Sequence, residues 1–117
     1  MTVEAEIWRA VAPIVSDRVF PDEAPADTVL PYVTYSQIGG RAFTFLAGLP
    51  DKRNGRFQFN VWAKTRDEAS TLMRAIADTL ELDDVLQATP LGELAATLEP
   101  ETKLRGATQD FSIWFPR

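Results

Sequence analysis

Hydrophobic and polar positions alternate strictly from Arg56 to Lys64, where "RFQFNVWAK" places Phe57, Phe59, Val61 and Ala63 on one side and Gln58, Asn60, Trp62 and Lys64 on the other. A period of two marks a strand with one buried face. The rhythm then changes within two residues. Thr65-Arg66-Asp67-Glu68 reads as a capping box, and its two acids favour the positive end of a helix dipole. Ala69, Leu72, Met73, Ile76, Ala77 and Leu80 come next at helical spacing, so an amphipathic helix joins its strand almost without a loop and packs back on the same sheet.

The same reading extends along the chain. Thr2 caps a first helix whose inward stripe is Ile7, Val11, Ile14 and Val15, with Pro13 interrupting it. "RVFPDEAPADTVLP" has no sustained period and reads as an irregular connection over 17–31. "YVTYSQI", at 32–38, is β-branched and aromatic and predicts a strand. "LGELAATLEP" is a weaker strand or helix candidate at about 92–98, and a last strand over 108–116 alternates Phe111, Ile113 and Phe115 with Asp110, Ser112 and Trp114. The expected order is α-β-β-α-β-β: a two-layer α+β domain with a four-stranded, mostly antiparallel sheet and both helices on one face. The strands at 56–64 and 108–116 are expected at the centre, side by side and parallel through a right-handed crossover, with 32–38 and 92–98 as edges.

Length and composition fit one domain: 117 residues, 45% hydrophobic, net charge −5. The absence of cysteine excludes disulfides and thiolate metal sites, and the absence of histidine removes the commonest general base and metal ligand. No apolar run of about 20 residues exists to span a membrane. Glu4 and Glu6 stand where a signal peptide needs basic residues, which predicts synthesis and first use in a cytoplasm. No Gly-rich phosphate loop is present, and acid pairs such as Asp83-Asp84 have the character of solvated surface. No catalytic residue, cofactor site or metal site is nominated. Charge is uneven, however: 39–66 carries Arg41, Lys52, Arg53, Arg56, Lys64 and Arg66 against Asp51 alone, whereas 1–38 and 67–117 are acidic. Overall acidity argues against specific nucleic-acid binding and leaves two readings: ordinary solvated charge, or a basic patch that meets an acidic patch on another copy.

Two apolar features stand apart from the core pattern. Trp62 and Trp114 fall on the outward sides of their strands; either the 17–31 segment covers them or they form a partner surface. The segment "GGRAFTFLAGLPDKRNG", 39–55, is too long for an ordinary hairpin loop and carries Phe43, Phe45, Leu46 and Leu49 beside Arg41, Lys52 and Arg53. It reads as a projecting hairpin arm, tucked against its own domain or offered to a partner. With the two indoles, these seven residues make nine candidates for an interface.

"DRVFPDEAPADTVLPYVTYSQIGG", then "RFQFNVWAKTRDEASTLMRAIADTLE", then the closing "QDFSIWF" resemble the tail completion, or tail terminator, proteins of long-tailed bacteriophages, which also occur in prophages and gene transfer agents. The resemblance covers about Asp17 to Ala77 and resumes at Gly106; 82–103 matches poorly. It implies a structural, non-enzymatic virion protein assembled in the bacterial cytoplasm. The family forms a ring, typically a hexamer, that ends tail-tube polymerisation and offers a surface to the head connector. Its implied partners are further copies of itself, the tail tube protein and the head-tail connector protein, with no membrane and no cofactor. On this resemblance the nine candidates form a subunit or tail-tube interface. A different class of protein also suits the pattern: a small-molecule-binding, ferredoxin-like domain dimerising through the Trp62/Trp114 face. An enzyme using carboxylates or lysine is a third possibility.

Overall fold

The computed structural model describes residues 2–43 and 48–117. Helix α1 spans Val3–Val11, with Thr2 Oγ1 accepting from the Ala5 amide at 3.1 Å. Pro13 does interrupt it, and Ala12–Ile14 form a single 3₁₀ turn. Three strands come next, β1 (Val19–Pro21), β2 (Tyr32–Gln37) and β3 (Lys52–Ala63). Helix α2 (Arg66–Leu82) starts at the predicted cap, where Thr65 Oγ1 accepts from the Glu68 amide at 3.2 Å. The remaining strands are β4 (Thr89–Pro90), β5 (Ala95–Leu98) and β6 (Arg105–Pro116).

The α+β class and the placing of β3 beside β6 at the centre agree with the sequence, but the sheet differs in three respects. Among the described residues it has six strands rather than four, in the order β1-β2-β3-β6-β4, with β5 also on β6. It is mixed, because β1 lies parallel to β2, from Val19 opposite Val33 to Pro21 opposite Tyr35. The segment read as an irregular connection thus supplies an outer strand, and β2 is not an edge. The pairing of β3 with β6 is antiparallel over all twelve residues, from Lys52 opposite Pro116 to Ala63 opposite Arg105. The reason lies in the two short strands after α2. That helix returns the chain to the start of β3, but β4 and β5 both run antiparallel to β6 and carry it forward again. β6 must then come back against β3. Together β4 and β5 make one interrupted edge, bridged by the Leu91 amide on the Asp110 carbonyl at 2.9 Å and by Gln109 Nε2 on the Gly92 carbonyl at 2.8 Å.

One face of the sheet carries the core. Phe57, Phe59 and Val61 of β3 and Phe111 and Ile113 of β6 meet Ala69, Met73, Ile76 and Leu80 of α2, while Ile7, Val11 and Val15 close the side over Val19 and Val33. Phe59 is fully buried, stacked on Tyr35 with ring centroids 5.6 Å apart and edge-on to Phe111 at 5.6 Å. Arg9 binds Glu6 at 2.9 Å and Asp83 at 2.8 Å, and so ties α1 to the end of α2. Burial works against the Asp83 carboxylate, but the Arg9 guanidinium and the Leu86 and Val85 amides outweigh it and hold its pKa below the ordinary carboxylate value.

The molecule measures 52 × 25 × 24 Å along its principal axes. Its length comes from the two long strands. β2 ends at Gln37, opposite Phe57, so the ribbon of 52–55 against 113–116 runs on past it.

Candidate assembly interface

Among the described residues no helix or strand covers the face of the sheet away from the helices. Direct cross-strand pairs place Lys52, Asn54, Arg56, Gln58, Asn60 and Trp62 of β3 along it, with Trp114, Ser112, Asp110, Thr108 and Gly106 of β6 as neighbours. Its middle is polar, with one ion pair, Arg56 Nη2 to Asp110 Oδ2 at 2.7 Å, and a hydrogen bond from Ser36 Oγ to Asp22 Oδ1 at 3.0 Å that leaves the Asp22 charge in place. Arg56 is therefore engaged within its own subunit. So is Arg66, which donates to the carbonyls of Gly106 at 2.5 Å and Thr97 at 2.7 Å and fastens the start of α2 to β5 and β6. The unusual surface lies at the two ends.

At the ribbon end, residues 39–43 run on from β2 beside β3. The Arg56 amide donates to the Gly39 carbonyl at 2.8 Å, and the Arg41 amide donates to Asn54 Oδ1 at 3.1 Å. Gly40 is required for this approach: its φ is +143°, and a Cβ there would sit 2.3 Å from the Asn54 carbonyl oxygen. This course brings Phe43 onto Trp114, stacked at 5.4 Å, and sets the Arg41 guanidinium 5.2 Å from the centre of the Phe43 ring. A cleft of about 300 Å³ lies here, lined by Arg41, Lys52, Arg53 and Arg117 among others, with no carboxylate side chain in its wall. Lys52 Nζ donates to Gln87 Oε1 at 2.6 Å, and Arg117 Nε to the Pro50 carbonyl at 2.8 Å. Among the described residues none of the four cations is in an ion pair. Nearby Leu49 is 77% exposed.

At the opposite end Trp62 lies half-buried across Gly106, its direct partner on β6. Any Cβ at 106 would meet the indole at 2.8 Å and Thr97 Oγ1 at 2.3 Å, so glycine makes room for the tryptophan. A groove of about 450 Å³ opens beside it, between residues 22–24 and 99–104. Asp22, Glu23 and Glu99 line it together with Tyr32, Trp62 and Leu104, and its wall contains neither Lys nor Arg. Glu99 Oε1 accepts from the Glu101 amide, while Oε2 is shielded from solvent and accepts no hydrogen bond among the described residues.

The family model for tail completion protein gp17 matches residues 8–116, nearly the whole chain. The chain belongs to this family. No curated protein matches it. Membership assigns a structural role in a phage tail, and with it a place in the virion. No helix is long and apolar enough to cross a membrane, and no cluster of potential metal ligands occurs among the described residues.

Of the nine residues the sequence nominates, the fold gathers Arg41, Phe43, Lys52, Arg53 and Trp114 at the ribbon end, with Leu49 close by. Phe45 and Leu46 lie outside the described residues. Trp62 shares a face with Trp114 but stands eight positions along β3 from Asn54, the partner of Trp114. At the rise of a strand that is about 26 Å. The two indoles do not form one patch. Residues 22–24, within the 17–31 segment, border Trp62 only, and Trp114 is partnered instead by Phe43. Sequence reasoning missed Asn54, Gly106, Arg117 and the groove acids. Asn54 and Gly106 act through cross-strand neighbours, and the groove acids sit on two connections far apart in sequence.

Proposed function

We propose that this tail completion protein assembles into a ring, a hexamer as its family resemblance implies, on the head-proximal end of the tail tube. There it ends tube polymerisation and provides the surface for head-tail joining, with the tube protein and the head-tail connector as partners. The observation that carries this reading is the ribbon end, where Arg41, Phe43 and Trp114 stack on one another outside the core. Aromatic residues and arginine are the types that anchor protein interfaces. The cluster lies beyond the helix-covered core, so it adds little to the packing of the domain itself. The arm reading of 39–55 belongs to the same proposal, with the 39–43 strap and its cationic cleft as the presented surface.

Capping a polymer requires binding alone, which suits a chain without histidine or cysteine. A ligand-binding dimer built on both indoles has less support, since they stand at opposite ends of the sheet. Native mass measurement tests the reading. A ring gives a closed multiple of the 13.0 kDa subunit, six on the family pattern. A protein that stays monomeric or dimeric at every concentration, with and without tube protein, contradicts it.

A further inference from the structure

Resting on the ring reading, we infer that the cationic ribbon end of one copy seats in the acidic groove beside Trp62 of the next, so that each subunit contributes one half of every junction. The occupant of the groove is a second copy of this chain.

The ends are chemically complementary. The cleft has Arg41, Arg53, Lys52 and Arg117 and no acidic side chain in its wall, Asp51 lying in the adjoining hollow beside Trp114. The groove has Asp22, Glu23 and Glu99 and no base. Neither set is neutralised within the subunit, because the ion pairs among the described residues use Arg9 with Glu6 and Asp83, and Arg56 with Asp110. Each end also carries aromatic surface: Phe43 on Trp114 at one, Tyr32 and Trp62 at the other. Glu99 lines the groove beside Asp22 and Glu23, so a guanidinium from the next copy would meet carboxylates there.

The geometry then sets the kind of assembly. Asn54 at the cleft and Asn60 and Trp62 at the groove are six to eight positions apart on the same strand, about 20–26 Å at the strand rise. A subunit cannot satisfy its own groove. Two different surfaces meeting head to tail make a heterologous contact, which closes into a ring when the rotation per subunit permits. Sheet neighbours hold β3 along its length, so the spacing between the two half-sites is set by a rigid element.

Charge reversal and charge exchange test the junction. Arg41→Glu/Arg53→Glu and Asp22→Arg/Glu23→Arg should each cut assembly at least tenfold in the concentration required. Mixing the two variants should then allow mixed junctions, pairing the acidic ribbon of the first with the basic groove of the second. Because the second variant keeps its basic ribbon and the first its acidic groove, the reciprocal junction is complementary too, and mixing should restore rings in which the two variants alternate. One chain carrying both reversals should recover rings. Folding is checked by thermal melting, since all four positions are surface-exposed. A cross-linking arm avoids reliance on charge. The chain has no cysteine, so Arg53→Cys/Glu23→Cys treated with a flexible bis-maleimide should give a ladder that ends at the ring, while either single variant stops at dimers. Rings that form normally with each reversed variant and give no ladder overturn the interlock and leave the ring reading standing. If the reversed ribbon variant still forms rings but no longer holds the tail tube, the cleft belongs to the tube and the interlock is likewise overturned. A native chain that never exceeds a dimer overturns both.

Discussion

Asn54 holds Arg41 in place. Its Oδ1 accepts from the Arg41 amide at 3.1 Å, while its Nδ2 donates to Ser112 Oγ at 2.8 Å, so one buried side chain joins the 39–43 strap to both long strands. Asn54→Ala should cost about 1–3 kcal/mol, the usual result of leaving buried polar groups unpaired. It should also loosen Phe43 from Trp114. Urea denaturation gives the first quantity, and a red shift of tryptophan emission reports the second.

Phe59 and Trp62 face opposite sides of β3 and should separate stability from assembly. Phe59 is fully buried between Tyr35 and Phe111, so Phe59→Ala should cost about 3–5 kcal/mol. Trp62 is half-buried on the uncovered face, and Trp62→Ala should cost the isolated subunit clearly less while weakening ring formation. Equal stability losses in the two variants would show that this face is part of the core.

The alkaline limit of stability should depend on Tyr35. Burial first, then the charges of Glu4 and Asp22, push its phenol from 10.0 up to about 12. A folded-state pKa raised in this way means that the unfolded chain loses the proton more readily. The contribution is intact below pH 10 and is lost as the pH rises towards 12. In Tyr35→Phe that part of the decline should vanish, and the difference between the two denaturation series over this window measures it. At the acid end, Asp83 has the opposite sign: its stabilising effect is present above its ordinary pKa and disappears as the pH falls.

Salt should act on the rate of assembly more than on the finished ring. Exposed ion pairs contribute only about 0–1 kcal/mol each, but opposite charges steer encounter and fix register until they are screened. Light scattering across a salt series should show slower growth with little dissociation of formed rings. Lys52→Glu/Arg53→Glu should grow slowly even at low salt. Growth at the native rate would mean that these cations face solvent or another tail protein.

The parts of the fold legible in the sequence are those determined by short-range chemistry. The period-two run of β3, the Thr65 cap and the stripe of α2 each lie within a few residues of one another, and each forms where the pattern puts it. Less legible are relations set by the path of the whole chain. The three residues of β1 are too few to show a period, and their pairing with β2 is recognisable only in space. The reversal of β6 depends on two short edge strands, β4 and β5, whose sequence is weakly patterned. At the candidate interface, Arg41, Phe43 and the tryptophans are conspicuous as apolar or basic residues out of place. Asn54 and Gly106 are not, because their roles consist of cross-strand contacts with Arg41 and Trp62.

The most direct test of the central claim is tube growth itself. Tail tube protein polymerising in the presence of rising amounts of this protein should give progressively shorter tubes, each with a ring at one end in electron micrographs. Tubes that reach the same length with both ends bare, at any ratio of the two proteins, would contradict a role in ending polymerisation.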